Sequence, residues 1–526
     1  LTDRDQGIER DYRGVTRNTP NIFRRQGFFA IMPTRMSNEG GFGARGRDRG
    51  LSRRPSARPM PVAVREALAH RCRWVACMMT FVTGSARQAA RAWQPAGRGR
   101  DRGLPEEVLT APVEIVRRAP ALRGDTKCAP WRGTDEQRRQ GGSVENFDVP
   151  IERRNTGSVK WDRYRDRDIL PLWVADMDFA SPDVIVRALQ ERVAHGVFGY
   201  GNAPKGLLEA ILAYVHTHNG WTLRPDWIVW LPGLVSALNL ACRATGAEGD
   251  DVLTLTPVYP PFLSAPRLAS RQLITVPLAC RADRYVIDWE ALEETVTPTT
   301  RLFLLCNPHN PVGRVYTGEE LERLGRFCER HDLIICADEI HAGLVLDASL
   351  RHRSIASLHP DLAQRTITLM APSKTFNVPG LGFSFAVIPD PTLRERFRAA
   401  MKGIVPDVNV LGFAAALAAY RDAEPWRLAL IDYLRDNAAL VLGAVRAMPG
   451  LNVTPIEATY LAWIDARALA PQNPQRFFEG AGVGLSDGAD FGAQGFVRLN
   501  FGCRRAVLAE ALGRMQRAVA HRQGAG

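Results

Sequence analysis

The stretch LMAPSKTFNVPG, Leu369 to Gly380, decides how this sequence is read. The apolar run TITLM that leads into it has the composition of a buried strand, whereas Pro372 and the Pro379-Gly380 pair are loop punctuation. Lys374 stands at their junction, and only five of the chain's 68 basic side chains are lysine. An amine at the mouth of a buried strand is partly desolvated, which lowers its pKa and suits it to react with a carbonyl. A lysine on an exposed turn would look the same locally, so the flanking sequence has to decide.

Outward from that stretch, strand-like runs WIVWLPG, DVLTLTP, RLFLLCNP and LIICADE alternate with helical stretches such as LLEAILAYVHTH and GEELERLGRFCERH. Alternation of this kind predicts an α/β fold with a mostly parallel sheet flanked by helices. The runs end in polar or Gly/Pro residues: Pro232-Gly233, Pro257, Asn307-Pro308, Asp338-Glu339 and Ser373-Lys374. Ligands of open α/β sheets bind beyond the carboxyl ends of the strands, so these groups are expected to share one cleft. A long helical stretch, PWRLALIDYLRDNAALVLGAVRAM, then leads to a second α/β segment ending in GFVRLNFGCRR and a last helix. The expected division is a large domain over 186–425 and a smaller α/β domain made of 146–185 and 426–526.

At 526 residues the chain exceeds one ordinary domain, and 45% hydrophobic with 24% charged residues is an ordinary globular balance. The net charge of +12 hints at nucleic acid, but residues 1–145 hold 28 Lys and Arg against 15 Asp and Glu, leaving 40 against 41 for the remainder. The basic character therefore belongs to Arg/Gly tracts such as GFGARGRDRG, which read as a disordered extension. The chain begins with Leu1, and a misassigned start is the other expectation for residues 1–145. They show no helix-turn-helix pattern and no interleaved aromatics, which argues against a nucleic-acid partner. Nine cysteines without a CxxC pair point to reduced thiols. No apolar run is long enough to cross a bilayer, and a cytoplasmic protein without a membrane partner is expected.

Taken together, the strand-end groups suit one cofactor. Asp338 is a carboxylate that needs a positive partner, and Lys374 an amine that needs a carbonyl. PGLVSAL opens a helix with small residues suited to a phosphate, and Arg498 in VRLN can clamp a carboxylate. Pyridoxal 5′-phosphate (PLP) has an aldehyde, a basic ring nitrogen and a phosphate, and acts on amino acids.

The spacing of CNPHNPVGR (306–314), ADEIH (337–341), SKTFN (373–377) and RLNFG (498–502) resembles that of fold-type I PLP-dependent enzymes of the class I/II aminotransferase superfamily. Within it, LPLWVADMDFASP, FGYG, TPVYPPF, DEIHAGL and SKTFNVPGL resemble the cystathionine β-lyase (MalY/PatB) group of C–S lyases, over some 380 residues from Asn146. The resemblance implies that Lys374 bonds the cofactor's aldehyde carbon and Asp338 pairs with its ring nitrogen. It further implies that Asn310 and His341 hydrogen-bond its phenolic oxygen, Tyr259 stacks on the ring, and Val235, Ser236 and Ser373 bind its phosphate. Tyr200 would reach the phosphate of a neighbouring subunit, implying a homodimer, and Arg498 would hold the α-carboxylate of a small amino-acid substrate. Two departures stand out: Ala371 replaces a small hydroxyl residue three positions before the lysine, and FGCRR replaces GCPR.

The implied activity is β-elimination from cystathionine or a related cysteine S-conjugate. Transamination uses the same residues and is the competing activity. A PLP-binding regulator that touches DNA through residues 1–145, and a cofactor-free structural relative, are readings of a different class.

Overall fold

The computed structural model describes residues 145–469 and 473–524. The expectation of a basic extension falls, except for Glu145, outside the described residues.

Seven strands form the larger sheet: β1 (Ile228–Leu231), β2 (Asp251–Thr256), β3 (Gln272–Pro277), β4 (Thr300–Cys306), β5 (Ile334–Asp338), β6 (Thr366–Met370) and β7 (Ser384–Val387). Their spatial order is β1-β7-β6-β5-β4-β2-β3. The pairs from β6 through β5, β4 and β2 to β3 are parallel, and β7 runs antiparallel to β1 and β6. All five runs expected as strands form strands. Every residue of β2 and of β6 is buried, because helices cover both faces and leave neither open to water. Helix α1 (Leu234–Ala244) brings Leu238 into one core layer with Leu302 and Leu369 of the sheet. Helix α2 (Gly318–Arg330) packs with Phe303, Leu324 and Ile335 in the other. The start of α2 is fixed by a capping box in which Thr317 and Glu320 satisfy each other's backbone N–H groups.

From β2 the chain moves outward to β3 and then returns past β2 to β4, so the strand order reverses between β2 and β4. In an open α/β sheet that reversal opens a crevice at the carboxyl ends. Tyr259 follows β2, Asn310 follows β4, Asp338 ends β5 and Lys374 follows β6.

Helix α3 (Glu424–Arg446) leads to a four-stranded sheet of β8 (Asn452–Val453), β9 (Leu461–Asp465), β10 (Ser486–Asp487) and β11 (Phe496–Asn500). Its order is β8-β9-β11-β10, and every pairing is antiparallel. The last helix, α4 (Arg505–Gly524), contributes Leu508 and Met515 to a core shared with Leu430, Leu434, Leu461 and Leu499. Each such fully buried side chain contributes roughly 1.5–3 kcal/mol relative to exposure.

Residues 147–179 lie against this second sheet. Leu170–Pro171 pairs in parallel with Val483–Gly484, and the Asn500 N–H donates to the Leu172 carbonyl at 2.9 Å. Met177 and Phe179 enter the same core. Beside them Lys160, fully buried, donates to Asp178 at 2.8 Å, while Arg153 bridges Asp176 at 2.7 Å and Asp178 at 2.5 Å. Cys306, Cys328 and Cys336 are buried free thiols. Among the described residues no helix is long and apolar enough to cross a membrane.

Candidate active site

Lys374 is half-buried in the turn after β6, and its Nζ donates to the Ala175 carbonyl at 2.7 Å. Burial and the neighbouring Arg498 charge push its amine down to about 8, against the opposing pull of Asp176 and Asp338. Asn377, three residues on, has a left-handed backbone (φ 55°), a conformation that asparagine tolerates. Its amide accepts from the Met177 N–H at 2.9 Å and donates to the carbonyls of Met177 at 3.0 Å and Phe179 at 2.8 Å. The loop that bears the lysine is thereby tied to the 172–179 segment.

Asp338 is buried at the end of β5, where Oδ1 accepts the Ile340 N–H at 3.0 Å. Burial pushes its carboxyl up to about 7, with the Ile340 N–H and Lys374 acting in the other direction. Among the described residues it forms no salt bridge. His341, also buried, has an Nδ1 without a hydrogen-bond partner, and burial holds the ring down at about 3, so it is neutral.

Arg498 sits on β11, opposite Trp463 of β9 and Ser486 of β10. Its guanidinium donates from Nη1 to Asn310 Oδ1 at 3.0 Å, and from Nη2 to the Trp173 carbonyl at 2.9 Å and Ser486 Oγ at 3.3 Å. It lies 4.6 Å over the Phe491 ring, with Nε buried and unpaired. Burial lowers it to about 10, still charged at neutral pH. Because Asn310 spends its oxygen on Arg498, its Nδ2 is left as a donor. The Tyr259 N–H donates to the Asn310 carbonyl at 3.1 Å, and Tyr259 itself is half-buried at the start of helix Pro260–Leu268.

The remaining residues lie around this centre with less direct contact. Val235 and Ser236 are in the first turn of α1, which has no side-chain cap, so their N–H groups are unclaimed donors suited to an anion. Ser373 is half-buried next to Lys374. Tyr200 is fully exposed, in a stretch with exposed Val197 and Phe198, and the structure does not bring it to the other residues of this chain.

Several groups that contact these residues or the 172–179 segment beside them were not singled out from the sequence: the Trp173 and Ala175 carbonyls, Asn377, Tyr460, Ser486 and Asn500. The Tyr460 hydroxyl donates to the same Ala175 carbonyl at 2.9 Å. The WVADMDF motif marked this segment, but a contact made by a backbone carbonyl leaves no residue-type signature.

The donor set fits PLP. A buried carboxyl without a cationic partner matches a basic ring nitrogen, the neutral histidine and the Asn310 amide match a phenolate, and the helix start matches a phosphate.

Residues 167–515 match the family described as aminotransferase class I and II. The chain is 37% identical over 386 residues to the cystathionine β-lyase PatB of Bacillus subtilis (strain 168), spanning 71% of this chain and 100% of that protein. The crystal structure of OvoB superposes with a TM-score of 0.70 at 50% identity, over 71% of this chain and 99% of that one. Cystalysin from Treponema denticola, whose crystal structure contains PLP, superposes with a TM-score of 0.69 at 32% identity, over 72% and 99%.

Proposed function

The chain belongs to the class I and II aminotransferase family, and on that premise we propose that it is a PLP-dependent C–S β-lyase. It takes cystathionine or a related cysteine S-conjugate and releases a thiol, pyruvate and ammonia. One observation carries the reading: Lys374 and Arg498 hydrogen-bond to carbonyls two residues apart, Ala175 and Trp173. Groups for the two ends of an α-amino acid, its nitrogen and its carboxylate, are thus held side by side.

When bound, the cofactor supplies an electron-poor ring that accepts the electron pair left at Cα. The protein supplies the rest. Lys374 would hold the cofactor by its aldehyde carbon, and its free amine, lowered to about 8, is a base within reach of neutral pH. Asp338 would pair with the ring nitrogen, whose positive charge would make an ionised carboxylate favourable at that buried position. The Asn310 amide and His341 would hold the phenolic oxygen, Tyr259 the ring, and Val235, Ser236 and Ser373 the phosphate. Arg498 fixes the substrate carboxylate, which orients the Cα–H bond for removal.

Tyr200 reaches the phosphate of a second copy, so the protein works as a homodimer; its exposure, with that of Val197 and Phe198, supports this. Residues 186–425 form the cofactor-bearing domain, and 146–185 with 426–526 form the smaller one. The buried free thiols support a cytoplasmic location.

What favours elimination over transamination is the likeness to the PatB β-lyase. The test is pyruvate release from L-cystathionine by PLP-loaded protein with no keto acid present, beside a Lys374→Ala control. Sustained pyruvate that the control lacks is expected. Product that appears only when a keto acid is supplied would make the protein an aminotransferase instead.

A further inference from the structure

The Ala175 carbonyl lies at the apex of a three-residue bend in which the Asp176 N–H donates to the Val174 carbonyl at 3.0 Å. One buried amide holds both ends of this bend. Asn500 Nδ2 donates to the Val174 carbonyl at 2.6 Å and to the Asp176 carbonyl at 2.7 Å, and its Oδ1 accepts the Gly502 N–H at 2.8 Å. With the flanking carbonyls taken by Asn500, the apex carbonyl is left to Lys374 Nζ and to the Tyr460 hydroxyl. Asn500 is fully buried on β11, two residues beyond Arg498, so its rotamer is locked by the sheet.

We propose that Asn500 is a positioning residue that holds the Val174–Asp176 bend so that the Ala175 carbonyl docks the Lys374 ammonium whenever an amino acid displaces it. The proposal rests on the reading of Lys374 as the residue that carries the cofactor. On displacement the bond from the aldehyde carbon to Nζ breaks as the bond to the incoming nitrogen forms, two protons pass from the incoming ammonium to Nζ, and Lys374 leaves as an ammonium ion that releases one proton to solvent before its amine serves as base. An ammonium in that confined place needs an acceptor at a fixed position, and a hydrogen bond to a charged group is stronger than a neutral one. Without the dock, displacement becomes less favourable, although the resting protein is unchanged.

The experiment is a spectrophotometric titration of PLP-loaded wild type and Asn500→Leu with L-alanine, whose β carbon bears no leaving group. The resting visible absorption and the PLP content should match, and the alanine concentration at half-saturation should rise about tenfold in the variant. Asn500→Ser removes the same donors without adding bulk and carries the same expectation should Asn500→Leu fail to fold. Equal half-saturation in wild type and a folded variant overturns the proposal and leaves the function reading intact. A wild type whose visible band alanine does not alter overturns the reading of Lys374 itself, and the dock with it.

Discussion

The Arg498 guanidinium donates to Asn310 Oδ1 at 3.0 Å, joining two residues 188 positions apart and two different sheets. The contact fixes the arginine fork and leaves Nδ2 as the free donor end of the Asn310 amide. Lysine at position 498 would keep the charge and lose the fork. Arg498→Lys is expected to lower kcat/KM by about two orders of magnitude, from the loss of two charged hydrogen bonds, with KM carrying most of the change. Steady-state kinetics with L-cystathionine checks it.

Asp338→Asn should separate activity from stability. With PLP bound, loss of the carboxylate proposed to pair with the ring nitrogen is expected to lower kcat by about two to three orders of magnitude. In the cofactor-free protein the sign is the reverse. The Asp338 carboxyl is raised to about 7 from its ordinary 3.8, so the folded chain binds its proton more tightly than the unfolded one. Its contribution to stability therefore falls as pH rises from about 4 to about 7 and stays low above that. The asparagine variant lacks this loss, and at pH 8 the cofactor-free variant should be the more stable by on the order of 2 kcal/mol. Melting curves at pH 5 and pH 8 check it, with a clearly larger gap expected at pH 8 than at pH 5.

The buried Lys160–Asp178 pair predicts an asymmetry. Asp178→Ala leaves a fully buried ammonium without its 2.8 Å partner and should cost about 3–5 kcal/mol. Lys160→Met leaves Asp178 with Arg153 at 2.5 Å and the Trp161 indole N–H at 2.9 Å, and should cost well under half of that. Urea unfolding of both variants gives the two values, and equal costs would show that the pair is not what holds this corner.

If Tyr200 serves a neighbouring subunit, two inactive variants should complement each other. Tyr200→Ala and Lys374→Ala, each nearly inactive, should regain about a quarter of wild-type activity after mixed refolding, because half the dimers are hybrids with one intact site. No recovery would mean that Tyr200 acts within its own chain or not at all.

The sheet was legible because buried parallel strands are continuous apolar runs, and their polar ends stand out against them. Asp338, Lys374 and Arg498 were singled out that way, as charged groups at the ends of runs such as LIIC, or within one in the case of VRLN, whereas Asn310 was singled out only through the resemblance carried by CNPHNPVGR. Strand β7, SFAV, is only four residues long, and β3, QLITVP, is an edge strand with most positions at least half open, so neither announced itself. Tyr460 and Asn500 sit in strand-like runs where an aromatic or an amide looks like ordinary core, and their roles come from what lies across space. The Ala175 carbonyl has no side-chain signal at all.

Because Arg498 belongs to the four-stranded sheet while Lys374 and Asp338 extend from the seven-stranded one, an amino acid held by Arg498 and Lys374 as proposed would act as a rivet between them. Part of its binding free energy then appears as resistance to prying the sheets apart. A ligand that offers only a carboxylate or only an amine grips one side and leaves that seam as easy to open as before.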